Sequence, residues 1–203
     1  EAYSTVVSEI KRIQEQYGRN AFAMLSGVSL STEKSYLVGK FARVALKTAN
    51  LDYNGRLCMV SAGAGNKKAF GMDRSSNSWA DLAHAEVIII TGANISECFP
   101  VLTYRIWEAR DNGAKIIVID PRVIPLARTA DIHLPLRSGT DTALMSTMLK
   151  VLIDNDWLDH DFIDNYTSGW EETAKTVEHC TLEWGEEITG VPKELIYKAA
   201  EMW

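Results

Sequence analysis

Long hydrophobic runs are missing from the sequence. None approaches the roughly 20 residues that a helix needs to cross a bilayer, so no membrane span is expected. Cysteine is scarce too, and its three copies, Cys58, Cys98 and Cys180, are too widely spaced for a disulfide framework or a C-x-x-C metal motif. This usage favours a reducing compartment, first of all the cytoplasm, or a periplasmic protein that does not depend on disulfides.

Basic stripes and arginine-rich arms are also absent, which argues against nucleic acid as a partner. The 203 residues carry a net charge of −6, and their 46% apolar and 24% charged fractions are those of a folded globular protein. The four histidines show no metal-ligand spacing. The chain opens on Glu1 without an initiator Met or a hydrophobic leader, which predicts that a preceding segment has been removed.

The first fifty residues have the pattern of a helix, a strand and a second helix. Ala2–Tyr17 places apolar residues at helical intervals, and the apolar run 21–25 ends at turn residues, as a buried strand does. Thr32 is the expected N-cap of the second helix. The apolar face of that helix would consist of Tyr36, Leu37, Phe41 and Val44.

Two later runs, 87–90 and Lys115–Ile119, are continuously apolar and β-branched, which is typical of strands covered on both faces of a parallel sheet. A helix predicted over 97–111 separates them and completes a βαβ unit. A weaker strand at Ile132–Leu134 and a helix over 140–153 follow.

The predicted fold class is therefore α/β, a parallel sheet with helices on both faces (Rossmann-like). The predicted domains are an α/β cofactor-binding region over 1–155 and a helical extension over 156–203 that packs on it.

Ligands of open parallel sheets bind beyond the carboxyl ends of the strands, and three loops of this sequence fall there. In the first loop, Gly92 permits a close backbone approach and a helix N-terminus follows. Asn94 and Ser96 can donate to a phosphate, or they can simply cap that helix. The candidate residues of this loop are Thr91, Gly92, Ala93, Asn94, Ser96 and Glu97.

The second loop consists of Asp120, Pro121 and Arg122. A carboxylate directly after a buried strand can accept from the hydroxyls of a ribose or from two N–H groups of a purine, although an Asp–Arg surface pair explains the same pattern. The third loop contains Gly139, Thr140 and Asp141. Asp141 suits the first turn of a helix through the dipole, and it also matches the N1–H and exocyclic amine of guanine.

Cys58 precedes a run of small residues that indicates a helix as far as Phe70. Because a helix N-terminus stabilises a thiolate, Cys58 is a candidate reactive thiol or soft-metal ligand, and the alternative is a small buried hydrophobic residue. Cys98, on the inward side of its predicted helix, and Cys180 are expected to be buried in that ordinary way.

The motifs occur in a characteristic order: Asn-x-x-x-Cys-Met-x-Ser-Ala, Ala-Phe-Gly, an Ile-rich strand into Gly-Ala-Asn-x-x-Glu, Gly-Ala-Lys-Ile-Ile-Val-Ile-Asp-Pro-Arg, and Gly-Thr-Asp-x-Ala-Leu. Over nearly the whole chain this order resembles the catalytic subunits of the dimethyl sulfoxide reductase superfamily of molybdopterin oxidoreductases. The resemblance implies a molybdenum or tungsten bis-(molybdopterin guanine dinucleotide) cofactor.

By that similarity, Cys58 would be the metal-bound thiolate, and Asn54 would contact the pterin beside it. Residues 91–98 would line the diphosphate of one guanine dinucleotide. The second loop would hold the ribose and guanine side of that nucleotide, and the third loop would close on the base.

The substrate is indicated less sharply. Cys58 followed by Met59 is similar to nitrate reductases, whereas formate dehydrogenases more often carry His after the cysteine. Residues 32–36 and 40–43 are closer to formate dehydrogenases, and Ser29 stands where nitrate reductases tend to have Gln. We expect an enzyme that reduces a small oxyanion, nitrate, to nitrite. Formate oxidation is the alternative activity. A metal-free scaffold subunit of a respiratory complex is the alternative from another functional class.

The resemblance also implies partners. A [4Fe–4S] cluster is expected in the missing N-terminal region, and the rest of the same polypeptide would cover the second pterin. An electron-transfer subunit or protein would exchange electrons with the centre. The chain alone is expected to be inactive.

Overall fold

The chain folds into two units, and the boundary between them lies between Ser76 and Asn77. The structure, a computed structural model, describes all residues from Glu1 to Trp203, and they form two compact units, Glu1–Ser76 and Asn77–Trp203. The functional division expected from the sequence, with an extension over 156–203, stays a prediction.

The first unit is mainly helical. Its elements in chain order are α1 (Ala2–Tyr17), β1 (Met24–Ser26), α2 (Thr32–Lys40), β2 (Leu51–Tyr53), α3 (Gly55–Cys58) and α4 (Val60–Phe70). A 3₁₀ turn, Arg19–Ala21, precedes β1, and a π-helical turn, Phe41–Ala45, continues α2. β1 and β2 pair in parallel with Met24 opposite Leu51, so this unit has a small sheet of its own.

Three expectations for this unit need correction. The strand predicted at 21–25 begins at Met24, because Arg19–Ala21 closes a 3₁₀ turn after the helix. The N-cap of α2 is Ser31 and not Thr32, since the Ser31 hydroxyl accepts the Lys34 N–H at 3.4 Å. The apolar side chains predicted along one face of α2 do not pack into the core of this unit, since all four are exposed, namely Tyr36, Leu37, Phe41 and Val44.

The second unit holds the larger sheet. Its strands are β3 (Val87–Thr91), β4 (Lys115–Ile119) and β5 (Ile132–Leu134), and its helices are α5 (Ile95–Cys98), α6 (Pro100–Asp111), α7 (Asp141–Asp154), α8 (His160–Tyr166), α9 (Trp170–Thr176), α10 (Leu182–Thr189) and α11 (Lys193–Met202). The strand order is β3-β4-β5 and all pairs are parallel, which confirms the predicted βαβ unit.

Both faces of this sheet are covered, as the apolar runs predicted. Ile116 and Val118 of β4 belong to one core cluster with Ile106 of α6. On the other face, Ile117 and Ile119 pack with residues of α7 and α11. These β4 side chains are no more than 1% exposed, and burying each one stabilises the fold by about 1.5–3 kcal/mol. The α/β class with helices on both faces is confirmed, although the strands form two sheets and not one.

The helix predicted over 97–111 is two helices, α5 and α6. Pro100 begins α6, where its missing N–H costs nothing. A proline also disfavours helical geometry in the residue before it, and Phe99 accordingly leaves the helix with φ −145° and ψ 58°. The single turn α5 therefore stands alone after β3.

The C-terminal helices pack on the same unit. α11 contacts α7 and β5, and α10 contacts α7 and α11. The absence of strands after residue 156 agrees with the sequence. No helix is both long enough and apolar enough to span a membrane.

Candidate functional site

The loops that follow β3, β4 and β5 lie at the same edge of the three-stranded sheet, because the strands are parallel and adjacent. Two hydrogen bonds join the end of β4 to the segments on either side of it. The Gly92 N–H donates to the Ile119 carbonyl at 2.9 Å, and the His133 ring nitrogen Nε2 lies 2.8 Å from the Asp120 carbonyl oxygen. The structure thus places the first two loops side by side, and the third loop begins five residues after the end of the neighbouring strand β5.

The first loop leaves an open backbone and an unpaired acceptor. Gly92 has φ +59°, and no atom lies within 4 Å of the position that a Cβ would occupy there. The side-chain oxygen of Asn94 is buried and has no hydrogen-bond partner. Thr91 and Glu97 are exposed, whereas Ala93 and Ser96 are partly buried.

The helix dipole contributes less to this loop than the sequence suggested. α5 is one turn long, and the main-chain oxygen of Asn94 already accepts the N–H groups of Glu97 and Cys98 at 3.1 and 2.9 Å. A single turn has few aligned peptide dipoles, so phosphate binding here would depend on the remaining N–H groups and on side chains.

In the second loop, Asp120 is buried, with a side chain only 5% exposed. Its Oδ1 accepts the backbone N–H of Arg122 at 2.8 Å, and the Arg122 guanidinium lies 3.7 Å from the same oxygen. The Arg122 side chain is 71% exposed. The Asp–Arg pair of the alternative interpretation is therefore present, but only its guanidinium lies in solvent, while the carboxylate is buried at the sheet edge.

The third loop enters α7 through a tight turn. Gly139 has φ +85°, a left-handed conformation that favours glycine. The Thr140 hydroxyl donates to the Arg137 carbonyl at 2.6 Å, and Asp141 is the exposed first residue of α7. The Asp141 carboxylate is thus accessible at the N-terminus of α7.

Two supporting residues were not assigned roles from the sequence. His133 must carry its proton on Nε2, because the Asp120 carbonyl can only accept. Arg137 bonds to the carbonyls of Glu187 and Ile188 at 2.7 and 3.4 Å. The available signal was position: His133 lies in β5 opposite Val118 of β4, and Asp120 directly follows β4.

Cys58 and Asn54 lie in the other unit. Cys58 is exposed at the end of the short helix α3, so its sulfur is accessible and it is not the small buried residue of the alternative interpretation. Asn54 directly follows β2, and its side-chain oxygen accepts the Val28 N–H at 2.9 Å. This bond joins the loop after β1 to the loop that leads to the cysteine.

A depression of about 410 Å³ opens at this point of the first unit. Its lining residues are Ser26, Gly27, Val28, Ser35, Val38, Leu51, Asp52 and Tyr53. Gly55 lies beside it under the Tyr53 ring, where an added Cβ would come within 2.3 Å of Cε2. A side chain at residue 55, three residues before the candidate thiolate, would therefore displace the Tyr53 ring.

The other two cysteines differ from each other. Cys98 is exposed, so the expectation that it is buried is wrong, because α5 ends before Phe99 and does not continue as one amphipathic helix. Cys180 is buried as expected, and burial raises the pKa of its thiol.

The molybdopterin oxidoreductase family model matches residues 1–196. The assimilatory nitrate reductase catalytic subunit of Bacillus subtilis is 40% identical over 201 residues, which cover 98% of this chain and 28% of that protein. Formate dehydrogenase H of Escherichia coli is 36% identical over 205 residues, covering 100% of this chain and 28% of that protein.

Among solved structures, acetylene hydratase from Pelobacter acetylenicus matches with a TM-score of 0.68 and 29% identity over 99% of this chain. The match covers 27% of that structure. The chain thus spans less than a third of the length of each of these relatives.

Proposed function

Because the chain belongs to the molybdopterin oxidoreductase family, we propose that it is the central cofactor-binding portion of an enzyme with a molybdenum or tungsten bis-(molybdopterin guanine dinucleotide) centre. The observation that carries the proposal is the convergence of three loops at the carboxyl edge of the β3-β4-β5 sheet. This is where open parallel sheets bind nucleotides.

The residues at that edge fit a guanine dinucleotide. The buried and unpaired oxygen of Asn94 needs a donor, which a ligand hydroxyl or amine can supply. The open backbone at Gly92 leaves room for a diphosphate to approach. Asp120 can accept from ribose hydroxyls through its second carboxylate oxygen, and Asp141 can accept both the N1–H and the amine of guanine.

In the first unit, we propose that Cys58 is the thiolate ligand of the metal and that Asn54 lies against the pterin. The exposed sulfur fits a ligand to an external metal, because a thiol buried among apolar side chains could not reach one. Asn54 Oδ1 is occupied by Val28, which leaves its amide N–H groups for the pterin.

For the substrate we propose nitrate, reduced to nitrite. The Cys58–Met59 pair and the nitrate reductase relative support this choice. The centre would supply two electrons and remove one oxygen atom from nitrate, and with two protons the products are nitrite and water. The protein would hold the cofactor and tune it through the thiolate.

Formate oxidation is the second candidate, supported by the formate dehydrogenase relatives and by residues 32–36. A metal-free scaffold subunit is the alternative of another class. A scaffold would need neither an accessible Cys58 in the first unit nor Asp120 and Asp141 after the strands of the second unit, so these residues argue for the enzyme.

The relatives are more than three times as long as this chain. We therefore propose that the remainder of the polypeptide holds a [4Fe–4S] cluster and covers the second pterin. An electron-transfer subunit or protein would deliver the electrons.

The test uses the full-length protein, purified without oxygen. Molybdenum and tungsten are quantified by mass spectrometry, and GMP is quantified after acid release from the cofactor. About one metal and two GMP per polypeptide would support the proposal, and nitrate and formate assays would then separate the two substrates.

Cys58→Ala and Cys58→Ser are compared with Cys180→Ala, a variant of a cysteine that lies outside every proposed binding segment. We expect activity to be lost only in the Cys58 variants. Well-folded protein that contains neither metal nor GMP would overturn the enzyme proposal and favour the scaffold.

A further inference from the structure

Arg137 closes the C-terminus of α10. Its guanidinium Nη1 donates to the carbonyls of Glu187 at 2.7 Å and Ile188 at 3.4 Å, and its backbone N–H donates to the Thr189 carbonyl at 2.8 Å. These carbonyls belong to the last turn of the helix, which has no N–H groups of its own to satisfy them. A cation at this position also interacts favourably with the helix dipole.

The same residue holds the third loop on its other side. The Arg137 carbonyl accepts two hydrogen bonds from Thr140, one from the backbone N–H at 3.2 Å and one from the hydroxyl at 2.6 Å. These bonds close the turn that contains Gly139. Arg137 therefore joins the end of α10 to the segment that leads into Asp141.

The end of α10 is itself firmly placed. Thr189 is completely buried, its hydroxyl donates to the Gly185 carbonyl at 2.7 Å, and the same hydroxyl accepts the Val191 N–H at 3.1 Å. Gly185 lies so close to α7 that an added Cβ would be 2.5 Å from the Thr147 hydroxyl. The helix end is a rigid support for whatever is bonded to it.

The turn after α10 is shaped around the arginine. Gly190 has φ +73°, and a Cβ there would lie 3.1 Å from the Arg137 Nε. A side chain at residue 190 would thus both strain the backbone and crowd the guanidinium. Glycine at this place lets Arg137 lie against the helix end.

We infer that Arg137 is a positioning residue that fixes the guanine-binding loop, Gly139 to Asp141, to the C-terminal helices. The inference rests on the proposed function for the identity of the ligand. It adds that α10, which contains no proposed ligand contact, is a structural part of the nucleotide site. Arg137 acts through the loop and does not itself need to touch the nucleotide.

The first test needs no cofactor. Full-length wild-type protein, Arg137→Ala, Arg137→Lys and Arg128→Ala are prepared in cofactor-free form, and amide hydrogen exchange is followed at residues 138–141. Arg128 is an exposed arginine of the same unit that is outside the site. We expect exchange in Arg137→Ala to be faster by about two- to fivefold, the factor that a cation at an exposed helix C-terminus contributes. Arg137→Lys should be intermediate, and Arg128→Ala should match the wild type.

The second test measures GMP per polypeptide in the cofactor-loaded proteins after gel filtration. If the interaction of the Arg137 cation with the end of α10 orders the loop, Arg137→Ala should retain about two- to fivefold less GMP than the wild type. Arg137→Lys should recover part of this loss. Gly190→Ala leaves the guanidinium in place chemically but displaces it from the helix end, so this variant should also retain less GMP than the wild type.

The outcomes separate the two proposals. Wild-type protein without GMP overturns the proposed function and with it the identity of the ligand, whereas the exchange result still decides whether Arg137 holds the loop. If the wild-type protein contains GMP and Arg137→Ala changes neither the exchange rate nor the GMP content, only the positioning role of Arg137 is overturned. Loss in Arg137→Ala that Arg137→Lys does not recover at all would also contradict it, because lysine restores a cationic donor at the helix end.

Discussion

The contact between α10 and α7 offers a sharp test of the packing, through Gly185→Ala. An ideal Cβ at this position would lie 2.5, 2.6 and 2.9 Å from the Oγ1, Cγ2 and Cβ of Thr147. Ordinary contacts are about 3.5–4.0 Å, so the helices would have to separate or Thr147 would have to move. Thr147 is fully buried and its hydroxyl is bonded to the Ala143 carbonyl at 2.9 Å, so it cannot turn away into solvent.

The expected magnitude is the difference between two effects. Alanine is favoured over glycine inside a helix by about 1 kcal/mol. Overpacking a buried site costs about 1–3 kcal/mol, and three atoms inside 3.0 Å place Gly185→Ala in the upper part of that range. We therefore expect the free energy of unfolding to fall by about 1–2 kcal/mol, although helix propensity alone would predict a rise.

A double-mutant cycle with Thr147→Ala identifies the cause. Thr147→Ala removes the two closest atoms but leaves the Cβ at 2.9 Å, so the relief is partial. The loss of unfolding free energy in the double variant should be smaller, by about 1 kcal/mol, than the sum of the losses in the two single variants. This is the size of coupling that residues in contact show.

Urea denaturation followed by tryptophan fluorescence is the suitable assay. All six tryptophans lie between residues 77 and 203, so the signal reports on the unit that contains this contact. A Gly185→Ala variant as stable as the wild type, or strictly additive effects in the cycle, would refute the proposed close packing of α10 on α7.

Three further predictions concern thiols, acid stability and the cysteine loop. In the folded, cofactor-free protein a thiol reagent at pH 8 should label Cys58 and Cys98 quickly and Cys180 only on unfolding, because Cys180 is buried and burial raises the pKa of its thiol. Fast labelling of all three cysteines, read by mass spectrometry, would contradict this. The pKa of Asp131 is lowered, first by the backbone N–H it accepts from β4 and then by a lysine hydrogen bond. The ionised Asp131 therefore contributes fully to stability above the unfolded pKa of about 3.9, and this contribution is lost as pH falls through the lower folded pKa. In Asp131→Asn the urea midpoint should consequently fall less steeply with decreasing pH in the acid range than it does in the wild type. An equally steep fall in both proteins would contradict this prediction. Gly55→Ala would place a Cβ 2.3 Å from a tyrosine ring and should lower the metal content of the full-length protein, whereas Gly65→Ala, with nothing within 4 Å, should leave it unchanged.

Most of the second unit could be predicted because its signals are local. The β-branched runs of β3 and β4 and the polar residues directly after them fixed both the strands and the place of Asp120. Pro100 was equally visible, and the single helix predicted across it was an error of interpretation, since proline begins helices and interrupts them. β2 was missed because Leu51-Asp52-Tyr53 has a charged residue at its centre and contains no apolar run.

The sequence by itself determined the α/β class, the βαβ unit and the loops that follow its parallel strands, since strand propensity and turn residues act over short distances. The tertiary structure alone decided which polar groups are paired and which side chains are buried. It placed Cys98 in solvent, left the exposed face of α2 without a partner in its unit, set His133 under Asp120 and bonded Arg137 to a helix fifty residues away. These are contacts between distant segments, and their free energy depends on geometry that no local pattern of residues encodes.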